Sequence, residues 1–277
     1  MAKVLGLVCS HRKMGNTEVS VREVLRGAKA LGCETELLRL NDYRIEPCRG
    51  CMACVFKGVK CPIGDDAWEV LERITNADAL VVGVPTYILG AAGILKMLND
   101  RGMGFMAGDT RPAEGKPAVG VVPAGVPGWE GLAPAMLKIF LFSLGFKVLD
   151  LSVVHAQGPA EVLLEKEKVE ELNRLGEILG RALKGEGYPF PDTEDGQCPL
   201  CYESVLSVSG DQVRCLLCGH TGKLENSQIV WNEPKGWRWG AKEMKWHFDE
   251  QVRSSGPKYM AKVKEIRGMV KERYGGE

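Results

Sequence analysis

Along the first two thirds of the chain, short runs that are apolar throughout alternate with longer stretches whose apolar residues recur at helical spacing. AKVLGLVCS (2–10) is such a run and ends in a polar loop. In NTEVSVREVLRGAKALG (16–32), Val21, Val24, Leu25, Ala28 and Leu31 share one helical face, with Asn16 or Thr17 as N-cap and Gly32 as a stop. ETELLRL (34–40) reads as a second strand, and DDAWEVLERITNA (65–77) as a helix with Trp68, Leu71 and Ile74 on one side. The alternation continues with a strand at 77–87, a helix at 91–102, a strand at 116–125, a helix at 131–145, a strand at 147–154 and an amphipathic helix at 165–187.

Strands without a polar face, separated by helices, predict a parallel sheet covered on both sides. Five such units fit an α/β, flavodoxin-like, doubly wound sheet ordered 2-1-3-4-5. Its ligand site is expected beyond the carboxyl ends of the strands, where the loops after strands 1, 3 and 4 converge. YPFPDTEDG (188–196) then breaks the periodicity with two prolines. The boundary is placed there, between a first domain at 1–190 and a second at 191–277. The second is expected to hold a small unit from Cys198 to about Leu224, followed by a tail with four of the six tryptophans and a terminal helix.

The 277 residues are 45% hydrophobic and 26% charged, as in soluble globular proteins, and the formal net charge is zero. No overall field therefore selects nucleic acid or an anionic membrane. No apolar run reaches membrane-spanning length. The N-terminal run is too short, and too soon interrupted by HRK, for a secretory signal. The expected location is the reducing cytoplasm, where clustered cysteines read as metal ligands or redox groups rather than disulfides.

Eight of the ten cysteines form two groups. Cys48, Cys51, Cys54 and Cys61 are spaced x2, x2, x6, which wraps a chain around one cubane with a thiolate for each iron. Zinc sites more often set two pairs on separate turns, and a C-x-x-C thiol relay is the third reading. The run favours a [4Fe–4S] cluster. Cys198, Cys201, Cys215 and Cys218 form C-x2-C-x13-C-x2-C around an alternating stretch with Gly210-Asp211 at a turn. Two knuckles on a hairpin make a tetrahedral four-thiolate site. It favours zinc over the rubredoxin-type iron that takes the same ligands, with His220 as a neighbour. Residues 231–277 carry eleven Lys+Arg and seven Asp+Glu, a surplus of four that is too mild to indicate nucleic acid. Trp231, Trp237, Trp239 and Trp246 are read as packing the small unit onto its neighbour in preference to stacking bases.

CSHRKMGNT (9–17), between the first strand and first helix, offers hydroxyls and backbone N–H groups to a terminal phosphate. It has neither GxGxxG nor GK[ST] spacing. VLGLVCSHRKMGNT (4–17) resembles the opening of NADPH-dependent FMN reductases, and VGVPTYILGAAGILKMLNDR (82–101) resembles their second flavin loop and its helix ending in D-R. With the cysteine run at 48–61, residues 1–185 resemble the iron–sulfur flavoproteins. The resemblance implies bound FMN, with Ser10, Arg12, Asn16 and Thr17 at its phosphate. Pro85, Thr86, Tyr87 and Ile88 would lie at its ring, and Ala124, Gly125, Gly128 and Trp129 at the pyrimidine edge or nicotinamide pocket. Cys9 stands where the family has glycine. The resemblance also implies a homo-oligomer, dimer or tetramer, in which one subunit's cluster lies near another's flavin.

The expected function is an oxidoreductase passing electrons between a reduced donor (NAD(P)H or ferredoxin), FMN and the cluster. No residue stands out as a catalytic acid or base; His11 and His155 read as loop and packing groups. The ribbon and tail are expected to lie outside the electron route, leaving the first domain to hold both redox groups alone. The alternative is a flavodoxin-like binding protein whose ribbon and Trp-rich tail recognise protein or nucleic acid.

Overall fold

The computed structural model describes residues 1–108, 111–187 and 193–275. Five parallel strands build the main sheet: β1 (Lys3–Val8), β2 (Glu34–Arg39), β3 (Ala79–Gly83), β6 (Pro117–Ala124) and β7 (Lys147–His155). They lie in the order β2-β1-β3-β6-β7, which is the expected 2-1-3-4-5 order of the five units. The short pair β4 (Thr86–Tyr87) and β5 (Gly90–Ala91) forms a separate hairpin after β3. β3 is buried at every residue and β6 at all but its first, whereas the edge strands β2 and β7 are only partly buried. That contrast is why the central strands read as continuous apolar runs.

One face of the sheet carries α3 (Ala67–Asn76), α4 (Gly93–Arg101) and α6 (Ala133–Leu144), which share a core around Leu7, Leu80, Leu137 and Phe140. The other carries α1 (Asn16–Ala30) and α7 (Lys166–Leu183), packed over Val4, Val81 and Val119. α1 and α7 meet through glycine. A Cβ on Gly27 would fall 2.0 Å from the Asn173 carbonyl oxygen, and one on Gly176 would fall 1.9 Å from that of Val24. Two small helices, α2 (Ala53–Phe56) and α5 (Met103–Met106), lie outside this frame.

The expected domain boundary falls partly on residues 188–192, outside the described residues. Beyond it, β8 (Leu206–Ser209), β9 (Gln212–Cys215), β10 (Thr221–Glu225) and β11 (Gln228–Trp231) form an antiparallel sheet ordered β11-β10-β9-β8. The β8–β9 hairpin turns at Gly210-Asp211 as its spacing predicts. The sheet continues past Leu224 because Asn226 and Ser227 both take positive φ, 49° and 65°, and turn the chain into a second hairpin. The ribbon packs on α6 through Phe142, whose ring meets Trp237 edge-on at 5.0 Å.

The tail comprises α8 (Ala241–Trp246), a π-helix at His247–Arg253, and α9 (Ser255–Tyr274), which buries no residue. It starts in the ribbon's core at Trp237 and Trp239 and runs onto the first domain. Met244 and Phe248 are buried against Val55 and Ala107 of the first domain, beside the first cysteine group.

Gly176→Ala is expected to destabilise the protein by about 1–3 kcal/mol, the usual cost of overpacking. The clash is with backbone, which cannot swing aside, so the denaturant midpoint should fall with the slope unchanged.

Candidate functional site

The loops after β1, β3 and β6 meet at the carboxyl edge of the sheet. Hydrogen bonds tie them together: Cys9 N–H donates to the Gly83 carbonyl at 2.8 Å and Val84 N–H to that of Val121 at 3.0 Å. In the first loop, Gly15 caps α1 with no side-chain hydrogen bond, so the opening turn of the helix presents N–H groups without a side-chain acceptor. Ser10 is buried and its Oγ accepts from Arg12 N–H at 3.3 Å, while the Arg12 side chain is exposed. Thr17 is buried against Gly83. Cys9 is fully buried in the core on the α3–α4–α6 face, so its sulfur does not crowd the loop; burial pushes its thiol well up.

Asn16 is spent differently from the other loop residues. Its Nδ2 donates to the carbonyls of Ala156 (3.2 Å) and Gly158 (2.8 Å), and its Oδ1 accepts from Val162 N–H (3.2 Å). Its side chain therefore fixes the loop after β7 against the start of α1, and only its backbone N–H is left for a phosphate.

Sequence reasoning missed the support of this loop. Glu18, in the first turn of α1 and 3% exposed, reaches back to Met14 N–H at 3.0 Å, binds Arg22 at 2.7 Å, and pairs with Arg39. Burial would raise its pKa, but the Met14 hydrogen bond and the two guanidiniums together hold it below the ordinary carboxylate range. Glu18 thereby ties the loop to the next turn of α1 and to the end of β2, where Arg39 also meets Asp42 at 3.7 Å. The only signal in the sequence was an arginine closing the otherwise apolar end of β2.

Pro85 is buried, Thr86 half-buried, Tyr87 half-exposed, and Ile88 99% exposed at the hairpin tip. Ile88 and Leu89 both hold positive φ, 48° and 58°, a conformation that is costly for a β-branched residue and recurs at ligand clamps. Thr86 Oγ1 is buried without a hydrogen-bond partner. After β6, Ala124 is buried, Gly125 and Gly128 face open space, and Trp129 is 62% exposed. This loop rests on the hairpin: Leu132 N–H donates to the Leu89 carbonyl at 2.7 Å. Behind it, His155 meets Glu130 at 3.3 Å. An orphaned hydroxyl, open glycine backbone and an uncapped helix start are what a flat ring bearing a phosphate tail needs.

Cys48, Cys51, Cys54 and Cys61 line one cavity together with Met52, Pro62, Asp100 and Arg101. Gly50 and Gly58 supply left-handed turns at φ 63° and 62°, and Met52 a third at 58°. Gly50 N–H points at the Cys48 sulfur, 3.4 Å away. Burial, then the neighbouring sulfurs of Cys61, Cys48 and Cys51, raise the Cys54 thiol.

The base of the loop is closed by a buried ion pair. Arg101 and Asp65, with side chains 1% and 0% exposed, join through two contacts of 2.5 and 2.8 Å. Arg101 also donates to the Glu46 carbonyl (2.8 Å) and Asp65 accepts from Glu46 N–H (2.7 Å), so both ends of the loop are gripped at once. Asp65 first, then the Cys61 sulfur, hold the guanidinium charged, and its buried Nε has no hydrogen-bond partner. Four soft donors and one unused N–H suit a sulfur-rich group.

In the ribbon, Cys198, Cys201, Cys215 and Cys218 are all buried, with their sulfurs within 4.8 Å of one another. Two pairs approach to 3.4 and 3.5 Å. A tetrahedron of sulfurs ~2.3 Å from one ion has an edge of ~3.8 Å, so the four fit a single metal. His220 is not among them; it stacks on Trp231 at 5.2 Å. Trp231, Trp237 and Trp239 are partly buried in the ribbon's core, whereas Trp246 is 57% exposed. No helix of the described residues is long and apolar enough to cross a membrane.

The model of a family described as NADPH-dependent FMN reductase matches residues 2–159. The chain is 36% identical over 139 residues to an iron-sulfur flavoprotein of Archaeoglobus fulgidus, covering 50% of this chain and 67% of that protein. It is 44% identical over 99 residues to an iron-sulfur flavoprotein of Methanocaldococcus jannaschii, 36% of this chain and 51% of the other, so it spans about half the length of that relative. Among solved structures, a flavone reductase superposes over 98% of this chain and 97% of its own, with a TM-score of 0.77 at 20% identity. That likeness is one of fold and includes the ribbon and tail.

Asp65 generates a pH prediction. Burial would raise its carboxyl, but Arg101 and the N–H groups of Glu46 and Ala67 lower it further, below its ordinary value. A depressed folded pKa means that its stabilisation is present above the unfolded value of ~3.9 and is lost as pH falls through the lower folded value. Between about pH 5 and pH 2, wild type should lose stability more steeply than Asp65→Asn in denaturant titrations.

Proposed function

Since the chain belongs to the NADPH-dependent FMN reductase family, we propose that it is a flavin-dependent oxidoreductase carrying FMN at the sheet edge, a [4Fe–4S] cluster at Cys48, Cys51, Cys54 and Cys61, and zinc at the ribbon. The observation that carries this reading is the course of α4. Its first residues follow the hairpin, where Ala92 N–H donates to the Pro85 carbonyl at 3.0 Å, and its last, Arg101, lines the cysteine cavity. Nine residues separate the two, a span of ~13 Å at the helical rise.

Each group of residues has a defined task. Ser10, Arg12, Thr17 and the N–H groups opening α1 bind the phosphate, and Arg39 with Glu18 keeps the loop closed behind it. Asn16 positions the loop after β7. Pro85, Thr86, Tyr87 and Ile88 line the ring, with the Thr86 hydroxyl as its hydrogen-bond partner. Ala124, Gly125, Gly128 and Trp129 bound its outer edge and leave room for a flat donor such as a nicotinamide. FMN supplies the ability to take electrons in pairs and release them singly. Arg101, its charge matched by Asp65, would offer its unpartnered Nε–H to a sulfur of a cluster held at the cysteine cavity. The ribbon metal, if zinc, takes no part in redox chemistry. Thiolate ligation in both cysteine groups suits a reducing compartment such as the cytoplasm.

Arg12→Glu should weaken FMN binding by about tenfold or more, the worth of one charged hydrogen bond, because the exposed side chain is not needed for folding. Unchanged FMN affinity in a flavin-retention titration would refute the phosphate assignment. Cys54→Ala should lose iron, acid-labile sulfide and the visible iron–thiolate absorbance while keeping FMN. Iron and sulfide retained at full occupancy would mean that this cysteine run is not the ligand set.

A further inference from the structure

The tail and the ribbon are not bystanders to the first cysteine group. α2, which contains Cys54, is a single turn too short to hold itself together. Its apolar side, Val55, is 1% exposed; Ala107, Met103 and Met106 pack there from the first domain, and the rest of the cover comes from the far end of the chain: Met244 (5%), Phe248 (4%) and the partly buried Val252. Arg253 completes the contact. Its Nε donates to the Val55 carbonyl at 3.0 Å and its Nη2 to the Ala107 carbonyl at 2.6 Å, and Asp249 holds the guanidinium from within the π-helix. Just beyond, Gly256 lies against the ring of Phe56.

This tail is fastened at its start by Trp239. The indole N–H donates to the Leu217 carbonyl at 3.1 Å, inside the second knuckle of the ribbon, and Arg238 donates to the carbonyls of Leu216 (3.1 Å) and Leu217 (3.2 Å). Arg111 of the first domain donates to the Trp239 carbonyl at 2.6 Å. The same indole packs in the ribbon's core and against the cluster of Val55, Met244 and Phe248. Leu216 and Leu217 lie between Cys215 and Cys218, so the carbonyls that hold Trp239 are positioned by the ribbon's metal ligands.

We propose that residues 239–256 are a strap that holds the iron–sulfur loop in its ligating conformation, and that the metal ribbon is the anchor of that strap. Arg253, Phe248 and Trp239 are positioning residues: they touch no redox group and act through α2. The ribbon's metal then has a task without carrying electrons. This inference rests on the reading of Cys48–Cys61 as cluster ligands, but the contacts on α2 exist independently of any cluster.

The test is hydrogen–deuterium exchange of the peptide 50–58 in the full-length protein, with exchange in β3 as the check that the sheet is intact. Arg253→Gln should speed exchange at 50–58 by about tenfold, the worth of one charged hydrogen bond. Phe248→Ala should do so by at least as much, and in both the ribbon metal should remain. Stripping the ribbon metal from wild type with a chelator, or Cys218→Ser, should produce the same loosening. Where iron is bound, all four conditions should shorten the life of its visible absorbance in air. Unchanged exchange in both Arg253→Gln and Phe248→Ala would overturn the strap. Acceleration in those two with none on metal removal would overturn the anchoring by the ribbon. Acceleration in a protein that holds no iron at 48–61 would sustain the strap and refute the cluster assignment instead.

Discussion

The ion pair of Arg101 with Asp65 is the constraint on which the cysteine loop depends. A loop with three left-handed residues, and with Val55 alone of its large apolar side chains fully buried, cannot choose a conformation by its own burial. It is held instead at its neck, where a guanidinium from the end of α4 grips a carboxylate and a carbonyl from the two converging strands of chain. Isolated in a protein interior, such a pair costs about as much to desolvate as it returns. Here the carboxylate also accepts two backbone N–H groups, so the pair secures geometry more than stability. Because α4 begins at the β4–β5 hairpin, that geometry is referred to the sheet edge.

The sheet edge and the cysteine loop are built by different physics. The sheet edge is a rigid consequence of five parallel strands, and its loops carry strain where the ring is expected: Ile88 and Leu89 in the left-handed region, Thr86 with an unused hydroxyl. The cysteine loop is soft and becomes defined through contacts that arrive from elsewhere. One is α4 and the other is the tail. A site assembled from a fixed edge and a clamped loop can alter its clamp without disturbing its edge.

How much of this was legible in the sequence follows the range of the interactions. The strand order was readable because central strands must be apolar on both faces, as β3 and β6 are. The ribbon was readable because ligand spacing is local. Asn16 reads locally as a cap or phosphate ligand, yet it is committed to carbonyls some 140 positions away. Glu18 with Arg39, and Arg253 with Val55, are likewise pairings across the fold with no periodicity to betray them. The second ribbon hairpin was hidden because its turn is Asn226-Ser227 rather than a glycine-containing pair. The tail read as an appendage of the ribbon because its apolar residues pack on a helix of only four residues, too short to leave a pattern of its own.

The covering of α2 by residues near the far end of the chain sets an order of assembly during synthesis. Roughly 190 residues separate Cys61 from Arg253, which at about 5–20 residues per second is on the order of 10–40 s of translation. Throughout that interval the sheet can form while α2 is packed by α5 and Ala107 alone. The last helices then pack on α2, and Cys48 and Cys51 remain exposed beside it. The ligands of the loop therefore stay reachable after synthesis ends, while its helix waits for the last residues of the chain to be held.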